Sequence, residues 1–281
     1  MIRVGFQGVK GAYSEMAALE FYEGEACTIP QESFEEVFEG VVSGELDRGI
    51  IPIENSLAGS IRLNYDLLQK HGVWIEAEHK FRVSHNLLAV PGASLEGIEK
   101  VFSHSQALSQ CAGYVRRLLK AQPMPYFDTA GSAEYISKKN DKTIAAIAGH
   151  HAAEEYGLKV LEEGIEDNSE NYTRFLVIQK MGESVQPEVS SGIRYKTSIV
   201  FALKNIPGCL YKCLSVFAIR DIDLFKIESR PIPGSPWQYV FYLDFDGEAS
   251  TGAGAKALGH LDEITAFCKV LGSYPAAEHH I

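Results

Sequence analysis

The pentapeptide Asn171-Tyr172-Thr173-Arg174-Phe175 sets a carboxamide, a hydroxyl and a fixed cation where a loop enters the apolar run 175–178. That grouping suits gripping a small polar acid better than building a core. Three more polar clusters fall at strand ends or helix starts. They are Pro52-Ile53-Glu54-Asn55-Ser56, Ser103-His104-Ser105-Gln106 and Thr129-Ala130-Gly131-Ser132. In open α/β sheets ligands gather at that edge, where helix N–H groups converge. Helical spacing from Ser103 places Gln110 two turns on, near the same face. Asn55, Ser103, Gln110, Thr129 and Thr173, with the cation Arg174, would hold carboxylates without a metal or a cofactor.

Each residue also has a plain structural reading. Ser103, Ser105 and Ser132 are natural N-caps. Asn55 is a turn former, Arg174 a surface ion-pair partner, and Gln106 with Gln110 a solvated helix face. Their joint occurrence is what argues for a site. His104 could act as an acid or only orient a helix start. His150 and His151 with Glu154 and Glu155 lack a third ligand at a usable spacing, so no metal is expected there. The glycine-rich Gly8-Val9-Lys10-Gly11-Ala12-Tyr13-Ser14 lacks both phosphate-loop patterns and reads as a tight turn capped by Ser14.

The chain has 281 residues and a formal net charge of -11. Its length suits two or three units of roughly 100 residues each. The acidic balance argues against nucleic acid or an anionic membrane as partner. It also requires any anion site to be built locally from Arg, amide donors and helix N-termini. The N-terminus has no apolar leader core, and no run approaches the roughly 20 residues that span a bilayer. Five cysteines with no CxxC spacing read as free thiols in a reducing compartment. Together these features predict a cytoplasmic protein.

Residues 1–180 alternate short apolar runs with helical patterns, which predicts α/β architecture. Strands are expected at 4–6, 49–53, 101–102, 126–127, 143–148 and 172–179, with a long β-rich run over 74–90. Ser33-Phe34-Glu35-Glu36 is a capping box opening a helix. Further helices are expected at 64–70, 106–119, 132–138 and 152–156. Two lobes joined by crossing strands would leave a cleft for a small ligand. Residues 181–195 read as a linker. A β-α-β-β-α-β order follows, the ferredoxin-like arrangement. In it, Leu210, Leu214 and Phe217 share one side of the first helix, Cys209 and Cys213 on that helix read as small core residues, a hairpin turns at 233–236, and the second helix covers 255–267.

The chain resembles the prephenate dehydratase family from Val4 to Pro275. The resemblance rests on Gly8–Ser14, Pro52–Ser56, 103–111, Asn171-Tyr172-Thr173-Arg174-Phe175, and Glu228-Ser229-Arg230-Pro231 followed by Pro236-Trp237, in that order. It implies a two-lobed α/β catalytic part of periplasmic-binding-protein-like architecture over 1–180, with lobes of about 1–76 plus 171–180 and 77–170. An α+β ferredoxin-like ACT regulatory domain would follow at 196–275. Carried over by position, Thr173 is the principal catalytic residue, with Glu54, Asn55, Ser103 and Gln110 in the same pocket. Arg174, Phe175, Ser56, Gln106 and Thr129 are implied to bind substrate. A phenylalanine site is implied at Asn205, Pro207, Gly208, Cys209, Leu210, Glu228 and Ser229. The family usually has Pro where Ser105 stands, and Ala where Cys209 stands.

The implied reaction converts prephenate to phenylpyruvate, CO2 and water, under feedback by phenylalanine. Positioning alone can supply about 7–11 kcal/mol of such a barrier. Thr173 would hydrogen-bond the departing hydroxyl, and Glu54 could donate the proton if burial raised its pKa. A homodimer or homotetramer is implied. Arogenate dehydratase is the nearest alternative. A non-catalytic two-lobed small-acid binding protein with an ACT sensor is the alternative from another class.

Overall fold

A computed structural model describes residues 1–118, 120–182, 193–204, 206–232, 234 and 237–277. The chain forms two compact units. One joins Met1–Asn64 to His79–Phe175, the other Tyr65–Glu78 to Leu176–Ile281.

The first unit opens with β1 (Ile2–Gln7), α1 (Tyr13–Phe21), β2 (Ala26–Gln31), α2 (Phe34–Ser43), β3 (Arg48–Asn55) and the short β4 (Gly59–Ser60). The chain then runs through α3 (Arg62–Lys70) and β5 (Val73–Arg82), which straddle the division between units, to β6 (Asn86–Ala89) and β7 (Lys100–His104). Next come α4 (Ser105–Gln110), α5 (Ala112–Arg117), β8 (Gln122–Tyr126), α6 (Thr129–Lys139) and β9 (Ile144–Ala148). The segments α7 (His150–Glu155), β10 (Lys159–Glu162) and β11 (Tyr172–Lys180) follow.

These elements build two lobes. In one, β1 pairs in parallel with both β2 and β3, and β11 lies beside β3. In the other, the strand order is β10-β6-β9-β7-β8. One buried cluster contains Val4, Phe6, Ile50 and Phe175 from the first lobe with Ala130, Ala133, Ile136 and Ala146 from the second. Close approach is part of this packing: a Cβ on Gly11 (φ +82) would stand 2.9 Å from Ala152 Cα.

Local chemistry explains the helix limits. At α2, Ser33 Oγ accepts from Glu36 N at 3.3 Å. Glu36 Oε2 in turn accepts from Glu32 N at 2.9 Å, and Gly44 ends the helix at φ 86. The helix expected over 106–119 divides at Cys111. There Asp167 N donates to Gln110 O at 2.7 Å, and the Asp167 carboxylate takes Gly113 N at 3.0 and 3.1 Å. Neither Ser103 nor Ser132 is a cap. His104 Nδ1 accepts from Gln106 N at 3.3 Å, and Asp128 accepts from Gly131 N. Nor does Ser14 cap α1: the helix starts after Ala12, and buried Glu15 accepts from Gly11 N at 2.6 Å.

The second unit contains β12 (Tyr195–Leu203), α8 (Cys209–Ala218), β13 (Leu224–Pro231), β14 (Tyr239–Asp246), α9 (Gly252–Ile264) and β15 (Thr265–Pro275). The sheet order β13-β14-β12-β15 is antiparallel throughout. Ile199, Phe201, Leu243 and Phe245 pack under the two helices. The buried stripe of α8 is Cys209, Cys213, Val216 and Phe217, so Leu210 and Leu214 flank the core. Helix α9 stops at Ile264 because Thr265, Phe267 and Cys268 pair with β12. On another part of the unit, Lys196 Nζ meets Glu78 Oε1 at 2.7 Å in a buried ion pair. The core of the expected linker, 183–192, and most of the 233–236 turn lie outside the described residues.

Candidate active site

Within the first unit the two lobes enclose a cavity of about 590 Å³. Strand β3 delivers Asn55 to its wall, β11 delivers Thr173 and Phe175, α4 delivers Gln106 and Gln110, and α6 begins there with Thr129. Strand alternation explains the choice, since residues two apart share a face and Thr173 and Phe175 do.

Asn55 is the hub. Its Oδ1 accepts the backbone N–H of Leu57 at 3.2 Å and of Ala58 at 3.0 Å. Its Nδ2 lies 2.8 Å from Asn171 Oδ1, 3.0 Å from Thr173 Oγ1 and 3.2 Å from Tyr172 O. Asn171 Nδ2 reaches Gln110 Oε1 at 3.3 Å. Gln110 Oε1 is also 2.9 Å from His85 Nε2, and His85 Nδ1 is 2.8 Å from the Tyr13 hydroxyl. Burial holds the His85 pKa below its ordinary value, opposed by the Gln110 hydrogen bond and the Glu166 charge. Burial likewise raises Tyr13 well above the usual phenol range. The Asp128 carboxyl also lines the cavity, and burial pushes its pKa up against the helix-start N–H of Gly131.

Other expected site residues stand elsewhere. Glu54 and Arg174 alternate with Asn55 and Thr173 along their strands and do not line the cavity. Ser103 is fully buried, and its Oγ donates to Ile147 O at 2.6 Å, inside the second sheet. Ser56 joins β3 to the start of β11 instead, its Oγ donating to Glu170 O at 2.9 Å and accepting from Tyr172 N at 3.0 Å. In the second unit Gly208 precedes α8 at φ 74 with Pro207 beside it, and Cys209 and Leu210 open the helix. Glu228 and Ser229 lie on β13 opposite Tyr242 and Phe241, while Asn205 is outside the described residues. Among the described residues no group of three His, Cys, Asp or Glu side chains is placed to hold a metal.

Tyr13, His85 and Asp128 were not among the expected site residues. Tyr13 and His85 are 72 positions apart and carry no common motif. Asp128 directly precedes the noted Thr129 cluster, and its position as helix N-cap was the available signal.

A sequence model of the family described as prephenate dehydratase matches residues 4–183. The chain is 44% identical over 285 residues to arogenate dehydratase/prephenate dehydratase 2, chloroplastic, of Arabidopsis thaliana, covering 98% of this chain and 73% of that protein. The solved prephenate dehydratase of Arthrobacter aurescens, in complex with L-Phe, superposes with a TM-score of 0.89 at 32% identity, covering 98% of this chain and 92% of that one. GqqA, described as a novel type of quorum quenching acylase, superposes with a TM-score of 0.91 at 32% identity, covering 99% and 100%. The chloroplastic relatives overturn the expected cytoplasmic location. That expectation rested on the composition of the first residues and on cysteine spacing, neither of which distinguishes the cytoplasm from a chloroplast.

Proposed function

The chain belongs to the prephenate dehydratase family of hydro-lyases, and from that premise we propose that the cavity around Thr173 converts prephenate to phenylpyruvate, CO2 and water. One observation carries the assignment. Thr173 Oγ1 is held 3.0 Å from Asn55 Nδ2 on the wall of a cavity that also presents Gln106, Gln110, Thr129 and Phe175.

The substrate brings two carboxylates and a ring hydroxyl. As the ring carboxylate leaves as CO2, its bonding electrons enter the ring and expel the hydroxyl, which takes up a proton to depart as water. Thr173 donates a hydrogen bond to that oxygen. An alcohol is too weak an acid to surrender its proton outright at neutral pH. Amide donors of Gln106 and Gln110, with Thr129 at the start of α6, orient the carboxylates. The Phe175 ring offers an apolar wall to the aromatising ring. Asp128 supplies the proton in place of Glu54, because it lines the cavity and burial favours its protonated form.

Residues 1–180 are the catalytic domain, with lobes of about 1–76 plus 171–180 and 77–170, and most of the expected linker, 181–195, lies outside the described residues. The β-α-β-β-α-β order and the antiparallel sheet of the second unit support an ACT regulatory domain over 196–275. L-Phe in the Arthrobacter aurescens complex supports phenylalanine as the effector, bound at Pro207–Leu210, Glu228 and Ser229 with Asn205. The assembly is a homodimer or homotetramer. Arogenate is the second reading for substrate, favoured by the double name of the Arabidopsis relative. Incubating the purified chain with each substrate, with and without phenylalanine, tests the proposal. Phenylpyruvate from prephenate supports it. No aromatic product from either substrate overturns it, and activity unmoved by phenylalanine removes the regulatory part.

A further inference from the structure

The hydrogens of the polar network around Asn55 are determined from one end. Backbone N–H groups can only donate, so the atom of Asn55 facing Leu57 N and Ala58 N is the oxygen. The Asn55 amide nitrogen therefore faces Asn171 and Thr173. Asn171 meets it with Oδ1 at 2.8 Å, which leaves Asn171 Nδ2 facing Gln110 at 3.3 Å. The Gln110 atom there must be the oxygen, and it can only accept. His85 Nε2, 2.9 Å from that oxygen, therefore carries a hydrogen. This orientation is assigned by the network and propagates residue by residue.

Two consequences follow at the ends. Thr173 Oγ1 spends a lone pair on Asn55 Nδ2, so its own hydrogen points away from Asn55 and is available on the cavity side. A neutral His85 with its hydrogen on Nε2 has a bare Nδ1 2.8 Å from the Tyr13 oxygen, so the single Tyr13 hydrogen is shared between Nδ1 and Ser84 O, which also lies at 2.8 Å. Burial of the ring supports the neutral form.

We infer that His85 is a positioning residue of this site: by holding the Nε2–H tautomer it locks Gln110, Asn171 and Asn55 in the one orientation that aims the Thr173 hydroxyl hydrogen into the cavity. The role in turnover rests on the dehydratase reading; the tautomer does not. The opposite tautomer would present a bare Nε2 to Gln110 and force the Gln110 amide to flip. That flip sets two donors against each other at Asn171, and the backbone N–H groups behind Asn55 prevent the clash from relaxing by further flips.

Two measurements test the inference. Nitrogen-15 NMR of imidazole-labelled protein at neutral pH should show the His85 hydrogen on Nε2 and none on Nδ1; the reverse pattern overturns the inference whatever the activity. Kinetics then compare His85→Gln, whose amide can place an N–H near Nε2, with His85→Leu, which cannot. The Leu variant should lose up to about 10²-fold in kcat with KM little changed, as for a misplaced catalytic group. The Gln variant should recover most of that loss. Equal losses in two variants that both melt as wild type does would overturn the positioning role. A wild-type chain inactive on prephenate and arogenate would instead sink the dehydratase reading and leave the NMR result to stand by itself.

Discussion

Asn55 and Thr173, 118 positions apart in the chain, meet through a 3.0 Å hydrogen bond in which the Asn55 amide donates and the Thr173 hydroxyl accepts. The direction of this bond matters more than its length. Asn55→Asp replaces the donor with an acceptor, so the Thr173 hydrogen would turn toward the new carboxylate. Turnover should fall by about 10²–10³-fold, as when an oriented donor is removed, although the hydroxyl is still present. Steady-state kinetics on a variant with a wild-type circular dichroism spectrum checks this, and near-normal kcat would refute the bond's direction.

The Asp128 assignment predicts a pH profile. An acid that must be protonated loses activity as pH rises through its pKa, and burial moves that fall above the ordinary carboxylate range. Asp128→Asn keeps a good N-cap for α6 and removes the proton. Its kcat should be low and flat across the pH range where wild type declines. A variant that retained the wild-type profile would exclude Asp128 as the proton source.

Much of the cavity wall was legible locally. Thr173, Asn55 and Thr129 stand at strand ends or helix starts that polar clusters mark in the sequence, Gln110 ends α4, and each reaches the cavity. Glu54, Arg174 and Ser103 show where that reading stopped, since a cluster does not say which member faces inward. Tyr13 and His85 were illegible for a different reason. Their partnership depends on two lobes closing on each other, and α1 has no apolar stripe to announce itself: its buried residues are Glu15, Ala17 and Ala18. Strand β2 was equally silent, having one buried residue, Ala26, and a proline within it.

The buried pair Lys196–Glu78, with Glu78 Oε1 also accepting Ala277 N at 2.9 Å, should be costly to break from one side. Lys196→Met leaves a carboxylate without this cation and should destabilise the second unit by about 3–5 kcal/mol. Adding Glu78→Leu should recover much of the loss. Denaturant unfolding of the single and double variants checks this, and a double variant weaker than the sum of its parts would refute it.

Arg3 holds the Asp47 pKa down to about 2 from an ordinary 3.8, chiefly through its side-chain hydrogen bond. A depressed folded-state pKa stabilises above the unfolded value and loses that contribution as pH falls through the folded one. The stability difference between wild type and Asp47→Asn should be small, because the pair is solvent-exposed. It should be constant near neutrality and shrink between about pH 4 and pH 2. Thermal melts across that range test it, and a difference that grew on acidification would contradict it.

Thiol reactivity should follow burial. Cys27 is exposed, whereas burial pushes the Cys111 and Cys213 thiols up to about 12. A thiol reagent at neutral pH should label Cys27 first and reach the other two only on unfolding, as read by peptide mass mapping. Early labelling of Cys111 would count against the packing around α4 and α5.

The role of Thr173 can be tested by product formation from saturating prephenate by wild type, Thr173→Ser and Thr173→Val, with substrate affinity measured in parallel by calorimetry. The Ser variant should keep activity within about tenfold, and the Val variant should lose about 10²–10³-fold at unchanged affinity. A Val variant that turned over near the wild-type rate would contradict the account.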